Sequence, residues 1–344
     1  MRAVQFSAYG AAPRLIETDA PPCPADGVVV KVMATGLCRS DWHAWMGHET
    51  VPLPHIPGHE FAGVIAAVGD DVRGWSVGDR VTAPFVLGCG VCDYCRAGDA
   101  QVCPDQRQPG FTGPGSFAEL VAVERAAANL IALPAELDFV AAASLGCRFS
   151  TAFRALTAHG NVVAEQWVAV HGCGGLGLSA VMIASALGAR VVALDPSPAA
   201  LTWAAALGAA QLIDVGAHPD SAAAVIDVTG GGAHVSVDAI GDARTAVASV
   251  MSLRRRGRHV QVGLLHGADA MTALPMDRVI SHELQIHGSH GMAAHEYPAM
   301  LALVVSGALR PDRLVGAVIG LDAAADALTA MHSNAGHGMT VIAL

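Results

Sequence analysis

Over roughly the first 130 residues, short apolar runs alternate with glycine and proline punctuation, as at 28–32 (VVVKV), 61–68 (FAGVIAAV) and 116–123 (SFAELVAV). Turn signals at that frequency predict a small, strongly twisted barrel or sandwich of β-strands. From about residue 148 the rhythm changes. Apolar runs at 167–171, 190–195, 212–213, 235–238, 259–262 and 284–286 alternate with Ala/Leu-rich stretches of helical character, the clearest at 178–188. Strands alternating with helices predict βαβ units and a parallel sheet. After about residue 291 the pattern gives one further helix and a final strand at 339–344, expected to return to the first domain.

Composition narrows the class. At 344 residues the chain exceeds the size at which one core keeps growing, which predicts two domains. Hydrophobic residues at 53% against 15% charged indicate a core-rich globular chain, not a disordered one. A net charge of −10, with Lys31 as the only lysine, argues against a nucleic-acid or anionic-membrane surface. The one basic run, Arg254, Arg255, Arg256 and Arg258, reads as a solvated turn before a strand. No secretory signal or membrane-spanning stretch is visible, so the expected location is the cytoplasm.

Between the first apolar run of the second half and its helix lies Gly172-Cys173-Gly174-Gly175-Leu176-Gly177. Glycine triplets of this kind are weak signals alone, but here a strand precedes, a helix follows, and Asp195 ends the next strand. In that setting Gly172 permits the tight turn and Gly174 admits a pyrophosphate close to the backbone. Gly177 lets helix and strand pack closely, with the phosphates at the helix N-terminus. Asp195 would accept hydrogen bonds from ribose hydroxyls and repel a 2′-phosphate, and no arginine follows it in Pro196-Ser197-Pro198; NAD is therefore expected over NADP.

Eight cysteines without a secretory signal point to metal ligands, not disulfides. Cys89, Cys92, Cys95 and Cys103 sit within fifteen residues, a spacing that suits one closed, structural tetrahedral zinc. Cys38, His59 and Cys147 form a second, dispersed group; three protein ligands leave a position open for chemistry. Cys23 and Cys173 fit neither group.

The segments Gly36-Leu37-Cys38-Arg39-Ser40-Asp41, Pro57-Gly58-His59-Glu60 and Leu145-Gly146-Cys147, with the cysteine loop and the glycine turn, resemble the zinc-dependent alcohol dehydrogenases of the medium-chain dehydrogenase/reductase superfamily across essentially the whole chain. The resemblance implies an α/β chain in two domains. A GroES-like β-barrel catalytic domain would take residues 1–148 and 291–344, and a Rossmann doubly wound domain residues 149–290. It implies NAD and two zinc ions per subunit. Cys38, His59 and Cys147 would be the catalytic ligands, a Cys₂His set known from alcohol dehydrogenases and so carried here by likeness. Glu60 would be a carboxylate near the metal, and Asp41 would hold the other ring nitrogen of His59.

By the same likeness Ser40 takes the alcohol proton first, and the relay continues through the nicotinamide ribose to His43. Arg39 would pair with the pyrophosphate, and Thr151, Val262, Gly263, Leu264, Gly288 and Ser289 would line the nicotinamide. Phe85 would be an aromatic of the substrate pocket, with Trp45, His48 and Glu49 flanking its entrance. Ala200 and Met339 stand where many relatives carry a basic residue for the cofactor. The expected activity is hydride transfer between a primary or secondary alcohol and NAD by a homo-oligomer, a tetramer in preference to a dimer. A zinc-free quinone or enoyl reductase on the same fold, or a cofactor-binding module without turnover, are the alternatives.

Overall fold

The computed structural model describes residues 1–332 and 338–344. The chain divides into two compact units, one of Met1–Ser150, Gly291–Gly307 and Pro311–Leu344, the other of Thr151–His290 with Ala308–Arg310.

In the first unit a seven-stranded sheet runs in the order Val315–Gly320, Met339–Ala343, Val28–Leu37, Glu60–Val68, Arg80–Thr82 and Ile131–Ala132, with Leu120–Val123 also pairing Val28–Leu37. Val28, Val30 and Val32 share one face of their strand and pack with Phe61, Ile65, Val81 and Val121, whereas Lys31 points to solvent. Register shifts between Val29 and Val30, and between Val32 and Ala34, bend this strand against its partner. Such bulges increase local twist and let a sheet curl around its own side chains.

The tail contains more than the sequence pattern gave. Beyond the helix Tyr297–Val305 there is a strand, Val315–Gly320, running parallel to Met339–Ala343, and a short helix, Ala324–Ala330. The extra strand is flanked by glycine and lies mostly exposed at the sheet edge, so its apolar residues carry no alternation to read.

The second unit is a six-stranded, all-parallel sheet in the order Ala209–Asp214, Arg190–Asp195, Trp167–His171, Ala233–Asp238, Leu253–Gln261, Gln285–Gly288. Numbered along the chain this is 3-2-1-4-5-6, the doubly wound order, and it reverses between Trp167–His171 and Ala233–Asp238. Strands covered on both faces need near-continuous apolar runs, which is why Val168, Ala169 and Val170 are all fully buried. The helix after the first strand is Gly175–Ala186, beginning and ending earlier than the 178–188 of the sequence pattern. Its first turn is made by the glycine segment itself, and Gly188 beyond its end adopts φ 80°, which stops it.

The arginine run is a correction. Arg254, Arg255, Arg256 and Arg258 lie inside the strand Leu253–Gln261, not in a turn before it. Pairing with Ala233–Asp238 jumps from Ala233↔Leu253 to Val235↔Arg258, so several residues bulge outward. Their charges are met at the surface: Arg254 by His234 at 2.7 Å and Arg258 by the Gly160 carbonyl at 2.7 Å.

Candidate active site: two sulfur-rich clusters and a glycine cradle

Cys38 caps the helix Arg39–Met46, and Asp41 in its first turn accepts from the Cys38 backbone N–H at 2.9 Å. The same carboxylate accepts from Gly58 N at 3.0 Å and from His59 Nδ1 at 2.9 Å, and Asp41 and His59 are both fully buried. One aspartate thus caps a helix, ties down the segment before the strand Glu60–Val68, and fixes an imidazole. Because Nδ1 is spent on Asp41, Nε2 must carry the outward-facing role, and it is buried with no hydrogen-bond partner among the described residues. A buried orphan nitrogen costs free energy unless something ligates it.

What lies around that nitrogen is a donor set. Single ligand atoms of Cys38, His59, Glu60 and Cys147 fall within 4.8 Å of one another. Cys147 arrives on a wide, π-type turn, Leu145–Phe149, of a kind frequent at functional sites. Contact with Cys147 holds the Cys38 thiol well below the usual thiol range against the opposing effect of burial. The same contact, with burial, pushes the Cys147 thiol well up. Burial opposes a charged His59, but the charge and hydrogen bond of Asp41, with Cys38, lift it above the ordinary value. Two neighbouring cysteine sulfurs beside an orphan imidazole nitrogen fit a soft divalent cation, which would hold both sulfurs as thiolates.

Glu60 belongs to the cluster but is not spare. Its carboxylate accepts from Cys147 N at 3.2 Å, Arg148 N at 3.0 Å and Arg148 Nε at 3.1 Å, and also pairs with Arg148 Nη2. Burial raises the Glu60 carboxyl while Arg148 opposes it. Arg148 was missed in the sequence; its one signal is a charge directly after Cys147 in an apolar stretch. Tyr297, also missed, donates to the Gly146 carbonyl at 3.0 Å and steadies the turn from below. Phe85 and the unforeseen Phe111 stand beside His59, with ring centroids 6.1 Å and 5.0 Å away, and make that side of the cluster apolar.

Trp45 packs in the hydrophobic core with Val4, Phe6 and Phe117, its indole N–H given to the Ala11 carbonyl at 2.6 Å. Ser40 is half-buried, its Oγ 3.9 Å from Cys38 Sγ. His43 meets His48, Nδ1 to Nδ1, at 2.8 Å. Arg39 is exposed, donates to the Met331 carbonyl at 2.6 Å and stacks on Trp42.

The second cluster comprises Cys89, Cys92, Cys95 and Cys103. Sulfur separations of 3.9 Å (Cys89–Cys95) and 3.8 Å (Cys92–Cys103) exclude disulfides, whose S–S bond is about 2.05 Å. They match the edge of a tetrahedron with zinc–sulfur bonds of about 2.3 Å, an edge of about 3.8 Å. Backbone N–H groups of Cys92 and Cys95 point at Cys89 and Cys92 sulfurs at 3.3 and 3.4 Å. Those from Val91 and Cys92 bring the Cys89 thiol down to about 6, whereas burial takes Cys95 up to about 12. The loop carries almost no core of its own, and four sulfurs converge regardless.

In the second unit the glycine turn is sterically enforced. Gly172 sits at φ 95°, and a Cβ on Gly177 would lie 1.7 Å from the Gly172 carbonyl oxygen. Above Gly174 a Cβ would meet nothing within 4 Å, so the backbone there is open to a ligand. Gly174, Gly175, Leu176 and Gly177 form the N-terminus of the following helix, with no side-chain cap. Asp195 Oδ2 accepts from Cys173 N at 2.8 Å and Oδ1 from Ser197 N at 2.8 Å, so the carboxylate also holds the turn together. At the carboxyl ends of the strands, Gly263 N donates to Asp238 O at 2.8 Å, Val262 is buried and Leu264 exposed. Gly288 is open to a ligand, and the hydroxyls of Thr151 and Ser289 are buried without a partner among the described residues. Open glycines and orphan hydroxyls fit a dinucleotide. Ala200 and Met339 are buried and contribute no charge.

Comparison with known proteins finds relatives along most of the chain. Residues 24–135 match the alcohol dehydrogenase GroES-like domain, and residues 175–306 match the zinc-binding dehydrogenase domain. An alcohol dehydrogenase of Geobacillus stearothermophilus is 32% identical over 315 residues, 90% of each chain. A second from that organism is 38% identical over 252 residues, 72% of this chain and 73% of the relative. The structure of alcohol dehydrogenase TADH from Thermus sp. ATN1 superposes with a TM-score of 0.92 at 29% identity, covering 100% of this chain and 99% of that one. The chain therefore belongs to the zinc-type alcohol dehydrogenases of the medium-chain dehydrogenase/reductase superfamily, an α/β oxidoreductase family built from a GroES-like and a Rossmann-like domain.

Proposed function

We propose that this alcohol dehydrogenase is zinc- and NAD-dependent and interconverts a primary or secondary alcohol with its aldehyde or ketone. The observation that carries the reading is His59 Nε2, buried and unpartnered beside the Cys38 and Cys147 sulfurs. Cys38, His59 and Cys147 would hold one zinc, and Cys89, Cys92, Cys95 and Cys103 a second. When bound, the first zinc would acidify a coordinated hydroxyl by several pKa units and NAD would accept the hydride.

The chain's own groups do the rest. Asp41 fixes the His59 tautomer, and Glu60, already engaged by Arg148, anchors the backbone of Cys147 rather than ligating. Phe85 and Phe111 keep that flank dry, which strengthens every charge interaction beside it. Ser40 accepts the alcohol proton, and His43, further along the same helix, passes it toward solvent. Asp195 selects the ribose of NAD, Gly174 and the helix N-terminus receive the pyrophosphate, and Thr151 and Ser289 offer hydroxyls to the nicotinamide side. Arg39 is the cation this reading assigns to the pyrophosphate.

We further propose a cytoplasmic homo-oligomer, a tetramer in preference to a dimer. Among the described residues no helix is long and apolar enough to cross a membrane. The test is NADH formation from a panel of alcohols, scored by kcat/KM. Activity lost on chelation and regained with zinc supports the proposal; no turnover on any alcohol favours a cofactor-binding module.

A further inference from the structure

The helix Arg39–Met46 ends at Gly47, which takes φ 78° and turns the chain back so that His48 N donates to the His43 carbonyl at 2.9 Å. This return brings two imidazoles together, Nδ1 to Nδ1 at 2.8 Å with ring centroids 5.1 Å apart. Trp42 stands edge-on to both rings, 5.1 and 5.4 Å away, and holds them in register. Two ring nitrogens at that separation share one proton: one must be an N–H and the other a bare lone pair. His43 is half-buried and His48 exposed, so the pair leads outward. The turn is closed by backbone hydrogen bonds, so the His48 side chain is not needed to form it.

We propose that the His43–His48 contact is a proton wire in which His48 receives the proton that His43 carries away from the alcohol and passes it to water. The proposal rests on the reading of His43 as the proton exit of an alcohol dehydrogenase. As a proton joins His43 at Nε2, the His43 Nδ1–H bond breaks and a His48 Nδ1–H bond forms. His48 then loses its Nε2 proton to water, and no electrons change hands. Rotation or exchange with solvent restores both tautomers.

Among the described residues, charged and titratable groups lie on the elements around the pair. Arg39 lies 5.2 Å over the Trp42 ring, and the His332 ring is 5.9 Å from it. Glu49 follows in sequence, and Asp326 is exposed on the packed helix Ala324–Ala330. The Tyr9 ring lies over Gly47, and its hydroxyl is tied to Val51 at 3.1 Å.

His48→Gln keeps a hydrogen-bonding side chain against His43 and the backbone cap, but cannot carry a proton. For alcohol oxidation its kcat should fall about tenfold below pH 7 and recover to within about twofold above pH 9, with KM for NAD unchanged. Added imidazole should restore the low-pH rate in His48→Gln. A kcat–pH profile superimposable on that of the unmutated enzyme, or a loss equal at every pH and indifferent to imidazole, would overturn the wire. If the unmutated, zinc-loaded enzyme forms no NADH from any alcohol, the functional reading falls and the wire with it, a result distinct from a flat His48→Gln profile.

Discussion

Asp41 Oδ1 lies 2.9 Å from His59 Nδ1, with both side chains sealed from solvent. That single contact decides which nitrogen of His59 is left to bind a metal. Asp41→Asn replaces one acceptor oxygen by an NH₂ that opposes a backbone N–H donor, so the ring loses its fixed tautomer. Zinc affinity at the Cys38 cluster should fall about 10–100-fold, as is usual when a ligand's outer partner is lost. Chelator competition followed site by site is the check, and the four-cysteine zinc should hold unchanged. Equal release from both clusters would deny Asp41 this role.

The loop of Cys89, Cys92, Cys95 and Cys103 is organised by sulfur, not by a core. Cys92→Ser should remove one zinc per chain and lower Tm by roughly 5–10 °C, about 2–3 kcal/mol. It should leave kcat within about threefold, since these ligands close their tetrahedron. Metal content, calorimetry and limited proteolysis around residues 89–103 measure this. A variant that keeps its full zinc content would contradict the assignment.

Asp195 holds Cys173 N and Ser197 N, and the proposed function gives its carboxylate a second duty at a ribose. Asp195→Ala should therefore raise KM for NAD and shift the kcat/KM ratio of NADP to NAD upward by at least about tenfold, about 1.4 kcal/mol. A raised KM with an unchanged ratio would leave only the turn-holding duty.

Two histidines in the Rossmann-like unit are buried as neutral rings. Burial takes His171 down to about 3 and His259 down to about 4, with a nearby histidine adding to each. Because the folded values lie below the unfolded value of about 6.5, the unfolded chain binds more protons between about pH 6.5 and 4. Stability is full above about pH 6.5 and falls as pH drops through that window, by about 2 kcal/mol per histidine at pH 5. Urea midpoints against pH should show this slope, and His171→Leu should halve it. A slope identical in that variant would show that other groups set it.

The alternation of strand and helix made the parallel sheet legible, because buried parallel strands must be apolar runs and the helices between them must be Ala/Leu-rich. The cysteine spacing was legible because Cys89, Cys92, Cys95 and Cys103 are close in the chain, and the fold brings their sulfurs together. Features set by tertiary partners were not. The arginine run looks like a solvated turn because no local pattern reveals a bulge inside Leu253–Gln261. The packing of Trp45 was not legible because nothing in the sequence shows the Ala11 carbonyl that satisfies its N–H in the core. Arg148, Phe111 and Tyr297 reach the Cys38 cluster from three separate segments, and only folding brings them there.

The central claim is that Cys38, His59 and Cys147 hold a zinc essential to turnover. It is tested most directly by counting zinc and assaying alcohol-driven NADH formation in Cys147→Ser beside the unmutated enzyme. The account expects two zincs per chain to become one, with kcat/KM falling by at least about a thousandfold while the fold and the Cys89 cluster persist. Undiminished turnover in Cys147→Ser, or two zincs retained, would contradict it.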